Sequence, residues 1–87
     1  MDEKETAILK GKSARALLAD PTLVEAFDAV EANCVREWRN TPITASDKRE
    51  AAYYVLLALG QLKGEITKII DNGAVAEASL RRAGKDR

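Results

Sequence analysis

The sequence predicts an all-α protein: an antiparallel helical hairpin with a short N-terminal helix before it, a weak C-terminal helix after it, and association between copies. Three observations carry that expectation. Apolar residues recur at spacings of three and four over two long stretches, Leu23 to Trp38 and Ala52 to Ile69. Breaks at Asp20-Pro21, Asn40-Thr41-Pro42 and Asn72-Gly73 punctuate those stretches. No strand-like alternation exceeds a few residues.

Residues 1–11 are polar and charged apart from Ala7, Ile8 and Leu9, and read as a mobile N-terminal arm or a frayed helical turn. A helical domain is expected over 12–73. It starts with Lys12 to Asp20, where Ser13 is an N-cap candidate and Pro21 forces the end, because the residue before proline avoids the α region. Asp20 then caps a second helix whose first position is Pro21, where a missing N–H costs nothing. That helix is expected to run to Asn40. Leu23, Val24, Phe27, Val30, Cys34, Val35 and Trp38 form its apolar stripe, and Glu25, Asp28, Glu31, Arg36 and Glu37 mark its wet side.

A third helix is expected from Ser46 or Asp47, with Asp47 and Glu50 as an aspartate version of a capping box. It should end at Asp71, with Gly73 in a left-handed cap, a length of about 25 residues or ~38 Å. Ala52, Val55, Leu59, Leu62, Ile66 and Ile69 repeat along it as an a/d heptad row. Residues 74–87 read as a weak helix and a basic tail.

The third helix has more apolar surface than one neighbour covers. With Val55, Leu59, Leu62, Ile66 and Ile69 facing the second helix, Tyr53, Leu56, Leu57 and Ile70 project elsewhere. A patch of that kind is normally covered by another chain. Gly60 and Gly64 lie on the same side, four residues apart in a helix interior, where each costs about 1 kcal/mol relative to alanine. Three readings stand for them: a close helix crossing within or between chains, tolerated exposure, or a local kink. Trp38, Tyr53, Leu56, Leu57, Gly60 and Gly64 are therefore the candidate interface residues.

Chemistry is poorly supplied. The 87 residues contain one cysteine, Cys34, and no histidine, so there is no internal disulfide and the commonest general base and metal ligand are missing. Gly11-Lys12-Ser13 matches the end of a phosphate-binding loop, but the glycine that pattern needs five residues earlier is Thr6. Glu25, Asp28 and Glu31 share a helix face with nothing cationic or concave around them. No catalytic, cofactor or metal residues are assigned, and an enzyme is not expected.

Fourteen basic and fourteen acidic residues cancel, which removes any global pull towards nucleic acid or anionic lipid. Locally the balance shifts: Asp20 to Arg39 holds five acidic and two basic residues, whereas Arg81, Arg82, Lys85 and Arg87 make the C-terminal end basic. Those four are the residues that would touch phosphate if the chain bound DNA. A helix-turn-helix at Asp20-Pro21 fits badly, because its second helix opens Pro21-Thr22-Leu23-Val24-Glu25 without basic residues. No apolar run approaches the ~18 residues of a membrane span, and no signal-peptide pattern opens the chain. A soluble, cytoplasmic protein is expected.

Several segments together carry a resemblance: Ala16-Leu17-Leu18-Ala19-Asp20-Pro21, Glu25-Ala26-Phe27, Glu37-Trp38-Arg39-Asn40-Thr41, Arg49-Glu50-Ala51 and Asp71-Asn72-Gly73. Over Ser13 to Gly73 this order resembles small helical proteins encoded near the head and packaging genes of tailed bacteriophages and prophages. The resemblance implies a phage accessory or virion-assembly component, in host cytoplasm or virion, acting through self-association and contacts with a phage structural or packaging protein. The alternative is a small DNA-binding regulator or packaging adaptor using the basic tail.

Overall fold

The structure, a computed structural model of the chain, describes residues 2–85. They form three helices: α1, Glu3–Ala19; α2, Pro21–Asn40; and α3, Ser46–Lys85. The described chain is all-helical, as its periodicity predicts. Two units organise it, one made of α1 with residues 64–85 of α3, the other of α2 with residues 46–63.

Of the stretch expected to be a mobile arm, residues 3–11 are helical and Met1 lies outside the described residues. Asp2 caps α1 by accepting a hydrogen bond from the Glu5 amide at 2.8 Å, and Glu3 and Glu5 place negative charge in the first turn. Ser13 is accordingly an interior residue rather than an N-cap. What holds this early helix is a backbone contact. Ala7, Gly11, Ala14 and Leu18 follow one another at spacings of four and three, Gly11 and Ala14 are buried, and Ala7 and Leu18 are half-buried. Contacts with α3 run in reverse chain order: Lys4 Nζ donates to Ser79 Oγ at 2.8 Å, Gly11 meets Gly73, and Leu17 shares a groove with Ile66.

Gly73 does not stop α3. No described glycine has a positive φ, and the helix continues for twelve residues beyond it to Lys85. A Cβ on Gly73 would lie 2.9 Å from the Ala7 carbonyl oxygen and 3.0 Å from the Gly11 Cα. The glycine is therefore explained by the close approach of another backbone, not by the cap its Asn-Gly context suggests. The weak C-terminal helix expected after it is the last part of α3, and its Ala76 is buried.

The end of α1 follows the sequence reading. Asp20 is extended (φ −70°, ψ 119°), its amide donates to the Leu17 carbonyl at 3.2 Å, and Pro21 is the first residue of α2. In the second unit Cys34 is the buried residue of α2, with Leu23, Phe27 and Val35 half-buried. Opposite them on α3, Ala52 is buried and Leu56, Leu59 and Lys63 are half-buried. Lys63 lies over the Phe27 ring at 5.3 Å and 3.9 Å from the Glu31 carboxylate, whereas Arg49 meets Trp38. Here too the contacts run in reverse chain order.

The heptad row is real, but only half of the expected residues lie in the covered lane: Ala52, Leu59 and Ile66 do, and Leu56, Lys63 and Ile70 take the places expected of Val55, Leu62 and Ile69. Between Ala52 and Gly73 the covered residues of α3 are Ala52, Leu56, Leu59 and Lys63 in one unit and Ile66, Ile70 and Gly73 in the other. Val55, Leu62 and Ile69, expected to face α2, are exposed. Leu56 and Ile70, expected to project away, lie in the covered row. Both lanes are apolar at spacings of three and four, so period alone does not choose between them. Ala52, Leu59, Ile66 and Gly73 lie on both lanes, and the neighbouring helices settle on the side of that shared row that carries Leu56, Lys63 and Ile70.

Candidate interaction surface

The surface begins with how little the chain buries. The buried hydrophobic residues among those described are small: Ala14, Cys34, Ala52 and Ala76. No large side chain among the described residues is fully buried, and Trp38, Tyr53, Tyr54, Val55, Leu57 and Leu62 are all exposed. The second unit is a two-helix layer with apolar groups on both flanks of its seam.

On one flank Val35, Trp38, Tyr53 and Leu56 line a groove of about 190 Å³. Its position is fixed by the end of α2. Arg49, in the first turns of α3, donates through Nη1 to the Trp38 carbonyl at 3.2 Å and the Thr41 carbonyl at 3.1 Å. These acceptors belong to the end of α2 and the residue after it, where carbonyls lack intrahelical partners. The same guanidinium lies 4.1 Å from the centre of the Trp38 ring, so one side chain closes the connection and holds the indole. Thr41 Oγ1 donates back to the Glu37 carbonyl, and the Ala45 amide donates to the Pro42 carbonyl at 2.9 Å. Trp38 remains 44% exposed despite this support.

Beyond the groove the Tyr53 and Tyr54 rings stand 5.8 Å apart, tilted by 59°, and Tyr54 Oη donates to Glu50 Oε1 at 3.1 Å. Leu57 is exposed on the same flank. Gly60 and Gly64 leave open space, because a Cβ on either meets nothing within 4 Å. The close helix crossing within the chain is therefore at Gly11 and Gly73, and a crossing at Gly60 and Gly64 within the fold is ruled out. Gly60→Ala and Gly64→Ala should each raise unfolding free energy by about 1 kcal/mol in dilute urea titrations, since only helix propensity changes. A fall for either variant would mean that its Cβ position is already occupied.

On the other flank of the second unit, Cys34, Glu37, Asn40, Thr41, Lys48, Ala51, Ala52 and Val55 border an open groove of about 510 Å³. Cys34 is a free thiol buried at its floor, the role expected of a small apolar residue on a helix stripe. No described cluster of three or more His, Cys, Asp or Glu residues has the spacing of a metal site. Every buried side-chain nitrogen and oxygen among the described residues has a partner. Of the tail residues, Arg81 pairs with Glu77 at 3.4 Å and Arg82 is exposed. Lys85 is the last residue of α3, and Arg87 lies outside the described residues. No described helix is long and apolar enough to cross a membrane.

No protein-family model, no curated protein and no solved structure matches the chain.

Proposed function

We propose that the chain is a non-enzymatic interaction protein that self-associates and docks on a second protein, as an accessory or virion-assembly component of a tailed bacteriophage. The observation that carries the interaction reading is the absence of any fully buried large side chain among the described residues, beside an exposed set that includes Trp38, Tyr53, Leu57 and Leu62. Exposed apolar surface of this extent is characteristic of a protein that binds partners. The phage assignment rests on the resemblance of the Ser13 to Gly73 segments alone. It places the protein in host cytoplasm and, when assembled, in the virion.

In this reading α2 and the first part of α3 act as a helical hairpin that presents a prepared surface. Trp38, Tyr53, Leu56 and Leu57 supply apolar contact, and the bare helix at Gly60 and Gly64 admits a close backbone. Large aromatic residues held by neighbouring groups are the usual anchors of such contacts, because little rotamer freedom is lost on binding. Self-association makes stability depend on protein concentration. The thermal midpoint should therefore rise across a hundredfold increase in concentration, and an unchanged midpoint overturns the reading.

Exposure of Arg82 and the basic end of α3 favour a second reading, contact with nucleic acid. It requires a gel shift that weakens with salt and is lost in Arg81→Ser with Arg82→Ser. Absence of a shift at low salt removes it.

A further inference from the structure

We propose that the self-association just described is an antiparallel, two-fold pairing of α3 with α3 of a second copy, through the exposed ladder Ala51, Val55, Ala58 and Leu62. The inference rests on the self-association reading and adds its geometry. All four residues are exposed. Val55 is 47% and Leu62 51% accessible, whereas Ala52, next to the ladder in sequence, is 5% accessible because it faces α2.

The ladder is complementary to its own reverse. Starting from Lys48 and ending at Glu65, its steps are three, four, three, four and three residues, which read the same from either end. A two-fold axis between residues 56 and 57 therefore sets Ala51 opposite Leu62 and Val55 opposite Ala58. Each large side chain meets an alanine, the small-against-large arrangement that lets two helices interdigitate closely. The same axis sets Lys48 opposite Glu65, twice, one pair at each end. A parallel alignment would instead place Lys48 on Lys48 and Glu65 on Glu65. In the single chain Glu65 pairs with Lys68 at 3.1 Å, an exposed contact that either arrangement can exchange at little cost.

Charge and side-chain size support a second copy of the same chain as the occupant. Val55 and Leu62 lie at the centre of the ladder with Lys48 and Glu65 at its ends, the layout of a homodimer interface that is apolar at the centre with charges at the rim.

The test is sedimentation equilibrium on the full chain, with helicity followed by circular dichroism. The wild type should sediment at twice its 9.5 kDa mass. Leu62→Asp should give a monomer with helical signal retained, since Leu62 is exposed in the single chain. Lys48→Glu and Glu65→Lys should each weaken the dimer about tenfold at low salt by facing like charges. The double variant should return to within about twofold of the wild type. A monomeric wild type overturns both the self-association reading and the ladder. An oligomeric wild type whose mass ignores Leu62→Asp, or whose two charge reversals fail to compensate, overturns the ladder and leaves self-association standing.

Discussion

Gly73→Leu is expected to detach α1 from residues 64–85 and to lower unfolding free energy by about 3 kcal/mol or more. The reason is geometric. Even the first side-chain carbon at this position would sit 2.9 Å from the Ala7 carbonyl oxygen and 3.0 Å from the Gly11 Cα, and both are backbone atoms. No rotamer relieves such a contact, so α1 has to move away as a body. Gly11 is the reciprocal position: its Cβ would lie 3.0 Å from the Gly73 Cα and 3.3 Å from the Ile69 carbonyl oxygen. Gly11→Leu should therefore produce the same loss. Gly73→Ala is the sharper variant, because helix propensity alone would stabilise it by about 1 kcal/mol. A net destabilisation by alanine at Gly73, set against stabilisation by alanine at Gly60, isolates the crossing. Hydrogen exchange should show the loss concentrated in the α1 amides. Equal protection of α1 in Gly73→Leu and wild type would contradict it.

Arg49→Ala is the second large effect, expected at about 2 kcal/mol. The substitution leaves the Trp38 and Thr41 carbonyls without their guanidinium donor and removes the cation from the Trp38 ring. Hydrogen bonds to a charged donor contribute roughly 1.5–3 kcal/mol, and an exposed cation–π contact about 0.5–1 kcal/mol. Partial exposure puts the sum at the lower end. Arg49→Lys should recover little, since an ammonium cannot reach two carbonyls and stack on the indole at once. Trp38 is the only tryptophan, so its emission reports the site directly. A loss of stability without any change in that emission would mean that the effect arises elsewhere.

Much of the helical layout is legible from capping chemistry and period. Asp20-Pro21 marks a corner through the stereochemistry of proline and its predecessor, and no tertiary contact is needed to read it. The apolar stripe of α2 is likewise plain in the spacing from Leu23 to Trp38. Glycine is where local reading fails, because one residue type serves two purposes. Gly73 follows asparagine and looks like a helix terminator, and Gly11 precedes Lys12-Ser13 and looks like the end of an arm. Each is needed instead because the other lies sixty-two positions away in sequence and against it in space. Gly60 and Gly64, with the familiar four-residue spacing, face open space. A signal was present in Ala7, Gly11 and Ala14, small residues on one face that would fit a close neighbour, but nothing local connects them to Gly73.

The surface shows the same limit. Tyr53 and Leu57 can be picked out as surplus apolar residues of α3, because α2 is too narrow to cover them. The support for Trp38 could not, since Arg49 reads as an ordinary charge in a first helical turn until the Trp38 and Thr41 carbonyls are placed beside it. Nor does periodicity choose between the lane of Leu56 and the lane of Val55 and Leu62. The choice matters for function. It leaves the Ala51 to Leu62 ladder uncovered while the Trp38 groove stands on the opposite flank, the two surfaces on which the proposed contacts rest.

The central claim is that a single chain is an incomplete layer and that another copy completes it. Solution mass tests this most directly, measured by sedimentation equilibrium from low micromolar concentration upward. A mass of twice the 9.5 kDa chain, falling towards one chain only on dilution, is the expected result. A mass of one chain at every concentration, with full helicity and a cooperative thermal transition, would contradict it.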